Sequence, residues 1–434
     1  MKIAYITAGA SGMYCGTCMH DNTLATSLIE RGHEVSLLPT YTPTRTDESN
    51  VSQEKIFFGG LNVYLQQLGF FRRSRWLDGL LDNRKVLNWV SKMAGKRSTD
   101  AADLGGMTLS MLQGESGHQA KELDKLIDFI EEHIRPDVVH VSLLLFAGFA
   151  RRFRERLDVP VVCSLQGDDL FLEGLVEPWK SLVLEEIHQR VGDIDAFTSP
   201  CGYYTEMMSE AYGVPAERTF PARLGIQADD FKNAADRPAN EHPTIGYLAR
   251  QAPEKGLHVL IDAFLELAPK RPDVRLRVAG YLGPKDEAYV AEQKKKLEDA
   301  GLMGQVDWVG EIDRDVKVDF LQSLDVFTVP TVYREPKGLF VPESLASGVP
   351  VVQPNHGAFP EWIERTGGGV LVEPESPSDL ARALGELLDN PERRRQLGQA
   401  GREAVRRDFN PEVMADEMLG LYSRILSGEV RAAA

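Results

Sequence analysis

Two carboxylates, Glu335 and Glu343, bracket a glycine in the stretch R-E-P-K-G-L-F-V-P-E-S-L-A-S-G-V-P-V-V-Q-P, residues 334–354. Glycine beside a helix start lets backbone N–H groups approach a ligand closely, and a helix N-terminus favours anions such as a diphosphate. Carboxylates repel phosphate, but they accept hydrogen bonds from sugar or ribose hydroxyls. The segment therefore offers donors for a diphosphate and acceptors for the sugars on either side of it. The expected backbone donors are those of Gly338, Leu339 and Phe340.

Two cations follow an apolar strand in G-Y-L-A-R-Q-A-P-E-K-G, residues 246–256. Arg250 offers a planar fork to phosphate oxygens, and Lys255 offers a point charge. Cations beside a bond that breaks stabilise the negative charge that develops on the leaving group. The segment therefore offers two cations to a phosphate group.

The spacing of Glu335 and Glu343 resembles the E-x7-E signature of the retaining glycosyltransferases of family 4, the glycosyl transferases group 1, which have the GT-B fold. The neighbouring pieces occur in the expected order: T-I-G-Y-L-A-R at 244–250, E-K-G at 254–256 and G-A-F-P-E at 357–361. The resemblance covers much of the C-terminal half. It implies a retaining transfer of a sugar from a nucleotide-diphosphate sugar to an acceptor hydroxyl.

The resemblance also implies a role for each matching residue. Glu335 would lie against the donor sugar, Glu343 would hold the ribose, and the two cations would bind the pyrophosphate. Backbone groups at a strand end, here Gly310 and Glu311, would contact the base without revealing its identity. Because Pro336-Lys337 replaces the usual Gly-Phe, the sugar cannot be inferred from typical members.

The acceptor side departs from the family pattern. Members commonly carry a histidine in P-V-V-x-x-x-H-G-x-D, whereas this chain reads P-V-V-C-S-L-Q-G-D-D, with Gln166 at the histidine position and Asp169 at the final acid. Glutamine cannot act as a general base, but it can hydrogen-bond a sugar hydroxyl. In the family's retaining transfer the departing phosphate is often described as taking the acceptor proton, so the chemistry survives this replacement.

The loop after the first strand departs as well. The family-like G-G-x-x-x-H becomes C-G-T-C-M-H, in which Gly16 and His20 match and Cys15 replaces the first glycine. We expect Gly16 on the donor side and His20 on the acceptor side. His140 follows another strand and is a further acceptor-side candidate. Cys15 and Cys18 form a C-x-x-C pair, which is compatible with redox or zinc chemistry and with simple packing.

Two further functions stay open. Gln166 and Cys15 are compatible with a catalytically impaired nucleotide-sugar-binding protein, and the fold also hosts enzymes such as nucleotide-sugar epimerases and phosphorylases. The D-x-D at 193–195 resembles the motif of metal-dependent glycosyltransferases, but no cluster of carboxylates calls for a metal. We therefore expect neither a metal nor another cofactor.

Composition limits the remaining classes. The 434 residues are 43% hydrophobic and 26% charged, which suits two globular domains. A net charge of -16 argues against nucleic acid as a partner. The first residues read as a strand, no apolar run approaches the length of a membrane span, and four cysteines do not make a disulfide framework. These features predict a cytoplasmic protein.

Apolar strands alternate with helical segments, which predicts an α/β protein with parallel sheets. We expect a GT-B fold with two Rossmann-like, doubly wound parallel-sheet domains facing a cleft. Residues 1–230 would form the acceptor domain, with an insertion at about 42–117, and residues 231–410 the donor domain. Residues 411–434 would form a helix that crosses back to the first domain.

The segment Phe70–Arg97 within the insertion carries eight basic and two acidic residues, with apolar residues at roughly helical spacing. One interpretation is a basic amphipathic helix that docks on the inner membrane face or on an anionic acceptor. The other is an ordinary surface helix pair. The expected acceptor is accordingly a carbohydrate or a lipid-linked sugar.

Overall fold

The computed structural model describes residues 1–9, 16–53, 56–57, 101–231 and 240–430. They fall into two compact units, Met1–Arg223 with Met414–Ala434, and Leu224–Val413. The unit boundaries differ by a few residues from the domain boundaries that the sequence predicts. Cys15, most of the insertion and the whole basic segment Phe70–Arg97 lie outside the described residues.

The first unit is built on a parallel sheet whose described strands run in the order β2-β1-β3-β4-β5-β6. The strands are β1 (Lys2–Thr7), β2 (Glu34–Pro39), β3 (Val138–Val141), β4 (Val161–Ser164), β5 (Ala196–Ser199) and β6 (Thr219–Pro221). The helices are α1 (Gly16–Glu30), α2 (Ala101–Leu112), α3 (Ala120–His133), α4 (Ala147–Leu157), α5 (Asp169–Glu173), α6 (Trp179–Arg190) and α7 (Gly202–Tyr212).

Strand burial explains why this unit can be recognised from its sequence. In β1 every residue after Lys2 is buried, and β3, β4 and β5 are buried throughout. Strands covered on both faces read as continuous apolar runs, which mark them in the sequence. Two elements lack such a signal: α1 begins at Gly16 in a glycine-containing loop, and the short strand β6 carries no such run.

The second unit is also built on a parallel sheet. Its described strands run in the order β12-β11-β10-β7-β8-β9. The strands are β7 (Thr244–Leu248), β8 (Arg275–Ala279), β9 (Val306–Gly310), β10 (Val326–Phe327), β11 (Val351–Pro354) and β12 (Gly369–Val372). The helices are α8 (Leu257–Leu267), α9 (Glu287–Asp299), α10 (Arg314–Gln322), α11 (Phe340–Ala346), α12 (Phe359–Thr366), α13 (Pro377–Asp389) and α14 (Pro391–Asp408).

The order of these strands places a topological switch point between β7 and β10. From β7 the chain adds β8 and β9 on one side, then crosses to add β10, β11 and β12 on the other. Ligands of open α/β sheets bind outside the carboxyl ends of the strands at such a point. The segments after β7 and β10 are those that carry Lys255 and Glu335, so the topology alone brings them together.

The last helix, α15 (Pro411–Leu426), packs with the first unit. Its buried side chains, which include Met414, Met418 and Tyr422, join the core cluster that contains Ile3 of β1 and Val138 of β3. No helix in the described part of the chain combines the length and the apolar character needed to cross a bilayer.

Candidate active site

The first cluster of polar side chains lies at the switch point of the second unit. Nζ of Lys255 is 2.6 Å from Oε2 of Glu335, and the hydroxyl of Tyr333 lies 2.9 Å from that Nζ and 2.5 Å from the same carboxylate oxygen. The ammonium also lies over the Tyr333 ring, 4.8 Å from its centroid. Three groups from two segments therefore converge on one point.

Glu335 is held as an anion by its surroundings. Burial by itself raises the pKa of a carboxyl group, but the charge of Lys255 and the hydrogen bonds from Lys255, Tyr333 and the Gly338 amide together lower the pKa of Glu335 below its usual value. The Gly338 amide lies 3.2 Å from Oε1. Glu335 therefore accepts hydrogen bonds on both oxygens and does not act as a proton donor near neutral pH.

The backbone around this cluster is tightly packed. Gly256, directly after Lys255, has φ of +70°, and a Cβ placed on it would lie 1.7 Å from the carbonyl oxygen of Pro330. The amide of Val332 donates to the carbonyl of Glu254 over 3.1 Å, and the amide of Ala358 donates to the carbonyl of Glu335 over 2.8 Å. Backbone hydrogen bonds and close packing thus hold together the segments that follow β7, β10 and β11.

Arg250 leaves the same strand end as Lys255 but has different partners. Its guanidinium donates to the Glu254 carboxylate, and its Nη1 lies 3.9 Å from Oδ2 of Asp286. Burial raises the pKa of Asp286, and the charge of Arg250 opposes that effect. The structure therefore places both predicted phosphate cations at the carboxyl edge of the sheet, each beside a carboxylate.

The second predicted carboxylate, Glu343, also pairs with a lysine. Its Oε1 lies 2.5 Å from Nζ of Lys317 on α10, and both side chains are buried. The predicted donors Gly338, Leu339 and Phe340 lead into α11, which is only seven residues long. The helix dipole is therefore a small contribution here, and the Gly338 amide donates to Glu335.

The residues expected to contact the base lie at the same edge. Gly310 ends β9 with φ of +81°, and Glu311 follows it. Within the second unit the predicted residues Lys255 and Glu335 contact each other, whereas Arg250 contacts Glu254 and Glu343 contacts Lys317. Tyr333 and Lys317 were not predicted. These two additions are tertiary contacts, and no spacing rule in the sequence indicates them.

A separate polar cluster lies in the first unit, around the buried carboxylate of Asp21. Its Oδ1 accepts from the Tyr5 hydroxyl and from Nε2 of Gln166, and its Oδ2 accepts from the Thr7 hydroxyl, each over 2.7 Å. Nδ1 of His20 lies 3.3 Å from Oδ1. Burial alone raises the pKa of Asp21, but these hydrogen bonds and the interaction with His20 lower it, so the group is an anion.

Asp21 is the residue that sequence reasoning missed. It connects two predicted acceptor-side residues, Gln166 and His20, and Gly16 begins the same helix. The run H-D-N-T at 20–23 carries a signal for such a residue. Four consecutive polar side chains in a helix that packs on the sheet need hydrogen-bond partners where they are buried. The run indicates a buried polar network.

The two remaining acceptor-side candidates are bound within the unit. Asp169 accepts a hydrogen bond from the Tyr204 hydroxyl over 2.8 Å. His140 is fully buried, with Nδ1 2.6 Å from the Tyr422 hydroxyl and Nε2 2.7 Å from the Ser164 hydroxyl. Burial lowers the pKa of His140 to about 3, so the ring is neutral and links β3 to β4 and α15.

The carboxylates of the D-x-D have protein partners. Oδ2 of Asp195 accepts from the Val161 amide over 2.8 Å, and Asp193 pairs with Arg151 over 3.1 Å. Cys18 is a buried thiol. In the described ranges no three histidine, cysteine, aspartate or glutamate side chains are grouped so as to hold a metal ion.

Comparisons with known proteins identify the family of the chain. The family model for glycosyl transferases group 1 matches residues 229–404, and that for the glycosyl transferase 4-like domain matches residues 22–225. Glycogen synthase of Mycobacterium tuberculosis is 27% identical over 300 residues, covering 68% of this chain and 70% of the relative. The GDP-mannose-dependent alpha-(1-6)-phosphatidylinositol monomannoside mannosyltransferase of the same organism is 28% identical over 262 residues, covering 55% and 65%.

Solved structures show the same fold. Sucrose-phosphate synthase from Thermosynechococcus elongatus superposes with a TM-score of 0.72 at 18% identity, covering 99% of this chain and all of that one. Anabaena HepE in complex with UDP gives 0.67 at 15% identity, covering 98% and 100%. The two parallel sheets, the order of the site segments and the two family models lead to one conclusion: the chain belongs to the group 1 glycosyltransferases and is a glycosyltransferase enzyme with the GT-B fold.

Proposed function

We propose that this enzyme transfers a sugar, with retention of anomeric configuration and without a metal ion, from a nucleotide-diphosphate sugar to an acceptor hydroxyl. The observation that supports the proposal most strongly is the Lys255–Glu335 pair at the switch point, with Arg250 at the same strand end. This arrangement combines acceptors for a sugar with donors for a diphosphate.

The departing diphosphate is the group that needs stabilisation. Arg250 and Lys255 supply two positive charges where negative charge develops, a role that a metal ion plays in other transferases. Glu335 orients Lys255 through the contact between their side chains, and it accepts hydrogen bonds from hydroxyls of the donor sugar. An ammonium group has three donors, so Lys255 can contact Glu335 and a phosphate oxygen together.

The acceptor proton goes to the departing phosphate in this proposal. The acceptor oxygen forms a bond to the anomeric carbon on the face from which the diphosphate leaves, the bond to the diphosphate oxygen breaks, and that oxygen takes the proton. Gln166 does not serve as a base, because an amide does not take up a proton near neutral pH; its amide nitrogen donates to Asp21 instead. Asp21 holds Gln166 and His20 in fixed positions from which they can hydrogen-bond acceptor hydroxyls.

The substrates are proposed from chemistry and from relatives. Glycogen synthase and the phosphatidylinositol monomannoside mannosyltransferase suggest a carbohydrate or a lipid-linked acceptor for this chain. We place the enzyme in the cytoplasm or at the inner membrane face, with no nucleic acid partner and no cofactor besides the donor. Membrane contact through Phe70–Arg97 stays a prediction.

Product stereochemistry tests the proposal. The purified chain is incubated with UDP-, GDP- and ADP-sugars and a panel of glycan and glycolipid acceptors, with and without EDTA, and the product is examined by proton NMR. We expect the anomeric configuration of the donor in the product and equal rates with EDTA. An inverted product, or activity that EDTA removes and Mn²⁺ restores, contradicts the proposal.

A further inference from the structure

A buried carboxylate that the proposed transfer does not use lies beside Arg250. Asp286 is 5% exposed, and its Oδ2 lies 3.9 Å from Nη1 of Arg250. Within the described ranges, no donor hydrogen-bonds that oxygen. Buried carboxylates normally accept hydrogen bonds, because these replace the hydration that burial removes. Among the described charged groups, Arg250 has the largest favourable effect on the ionised form of Asp286.

Backbone contacts hold together the loops that carry these two residues. The amide of Gln251, next to Arg250, donates to the carbonyl of Tyr281 over 2.9 Å, and its side-chain nitrogen donates to the carbonyl of Gly280 over 2.9 Å. A Cβ on Gly280, whose φ is +128°, would lie 1.9 Å from a backbone oxygen of the loop after β7. The packing of the two loops therefore keeps the carboxylate close to the guanidinium.

The guanidinium of Arg250 has carboxylate neighbours from both loops. Glu254 accepts a hydrogen bond from it, while Asp286 contributes charge at a longer distance. Together with Glu335 beside Lys255, three carboxylates therefore accompany the two cations predicted to bind phosphate. Attraction of a highly charged anion would need an excess of positive charge. The balance at this edge of the sheet suits a phosphate ligand of moderate negative charge.

The donor and the product of a sugar transfer differ in charge at this point. In a nucleotide-diphosphate sugar both phosphates are diesters, whereas a released nucleoside diphosphate ends in a monoester. At pH 8 the product carries about one more negative charge than the donor, because the second ionisation of a phosphate monoester lies near about pH 6. A fixed carboxylate beside the cation that binds this phosphate repels the product more strongly than the donor.

We propose that Asp286 is a specificity-determining residue that weakens binding of the nucleoside diphosphate product relative to the donor and so assists product release. The inference rests on the proposed function, because it takes Arg250 as a ligand of the diphosphate. Glu254 differs from Asp286, since its hydrogen bond orients the guanidinium. Oδ2 of Asp286 adds negative charge without a hydrogen bond, so its removal changes mainly the charge that a phosphate meets.

Isothermal titration with a nucleoside diphosphate and with its terminal methyl ester, which has the charge of a donor but no sugar, tests the inference. UDP, GDP and ADP and their esters are used at pH 8 with EDTA, so that no divalent cation alters their charge. For the base that the native chain binds, Asp286→Asn should bind the diphosphate more tightly. The ratio of the two dissociation constants should shift at least about threefold in favour of the diphosphate. An unchanged ratio, or weaker binding of the diphosphate, overturns the inference.

Two further variants make the test specific. Asp307→Asn is the matched control, because Asp307 lies 3.0 Å from Arg277 on the sheet of the same unit and its side chain is 56% exposed. It should keep the native ratio. If Asp286→Asn does not fold, Asp286→Ala removes the same charge and should shift the ratio in the same direction; a native ratio there also overturns the inference.

Product inhibition gives an independent readout of the same effect. The inhibition constant of the nucleoside diphosphate should fall in Asp286→Asn, and an unchanged constant contradicts a role in product release. A native chain that binds no diphosphate overturns the proposed function. Native binding with the same ratio in Asp286→Asn overturns this inference alone.

Discussion

The ammonium of Lys255 lies 2.6 Å from the carboxylate of Glu335, although the two residues follow different strands and are far apart in the sequence. Neighbouring positions of β7 and β10 in the sheet produce this contact. The pair joins the part of the site proposed for the diphosphate to the part proposed for the donor sugar. A change in either residue therefore alters the environment of both ligand groups.

Loss of either member of this pair should slow sugar transfer. Lys255→Met and Glu335→Gln should each reduce kcat/KM by at least about tenfold, which corresponds to roughly 1.4 kcal/mol of transition-state stabilisation. The double variant should lose less than the product of the two single effects, because the residues share one interaction. Lys296→Met serves as the control, because Lys296 is a partly exposed lysine of the same unit whose Nζ lies 2.7 Å from Asp262. Full activity in both single variants would refute these roles.

The hydroxyl of Tyr333 should influence the pH below which activity is lost, because it hydrogen-bonds Glu335. Its hydrogen bond helps to lower the pKa of Glu335, after burial and the Lys255 charge. The carboxylate is therefore ionised at and above the ordinary pKa of glutamate. It loses its charge only as the pH falls through the lowered pKa. Tyr333→Phe should raise that pKa and move the acid limb of kcat/KM to higher pH.

A matched variant separates this effect from general damage. The Tyr289 hydroxyl contacts the backbone and the ring of His258 instead. Tyr289→Phe should leave the acid limb where the native enzyme has it. If Tyr333→Phe and Tyr289→Phe give the same pH profile as the native chain, Tyr333 has no influence on Glu335.

The buried carboxylate of Asp21 should contribute to stability above the pH range in which it titrates. Asp21→Asn replaces an acceptor of several hydrogen bonds and should cost roughly 1–3 kcal/mol in the free energy of unfolding at pH 7. Since the pKa of Asp21 is lowered in the folded state, its stabilisation is present above the unfolded-state pKa and falls away as the pH drops through the folded value. The native and variant curves should therefore converge in acid.

Urea unfolding at several pH values measures this convergence. Asp137→Asn is a suitable control, because Asp137 is an exposed carboxylate of the same unit that accepts from the Lys2 amide. We expect little change in that variant. An Asp21→Asn protein as stable as the native chain at pH 7 would show that the network around Asp21 is energetically neutral.

Gly256 should be intolerant of a side chain. Its φ of +70° is unfavourable for other residues, and a Cβ would collide with the Pro330 carbonyl. Gly301 has φ of +69° with nothing within 4 Å of a Cβ, so Gly301→Ala should show only the backbone penalty of about 1–2 kcal/mol. Gly256→Ala should lose more stability and also disturb Lys255. Equal melting temperatures for the two variants would contradict the close packing of the loops after β7 and β10.

Several elements could be predicted from the sequence because their signals are local. The segments Lys2–Thr7, Val138–Val141 and Thr244–Leu248 are mostly apolar, and the structure has strands there. Strand Thr219–Pro221 cannot be recognised in the sequence, because it is short and only partly buried. The start of α1 at Gly16 has no local signal either, because the first residues of the helix show no apolar pattern.

The site was only partly predictable for a related reason. Glu335 and Lys255 lie in motifs with a recognisable order, so the residue types and the topology predict their approach. Tyr333, Lys317 and Asp21 act through tertiary hydrogen bonds, which depend on helix placement and burial rather than on spacing. A buried lysine or aspartate can be recognised as a site residue only once its hydrogen-bond partner is known.

The second unit is proposed to bind a nucleotide diphosphate through Arg250 and Lys255 at the switch point. Isothermal titration of the native chain and of Lys255→Met with UDP, GDP and ADP measures this binding. We expect the native chain to bind at least one of the three and Lys255→Met to bind it at least about tenfold more weakly, a difference of roughly 1.4 kcal/mol. Equal affinity in the two proteins, or no binding by the native chain, would contradict this role of Lys255.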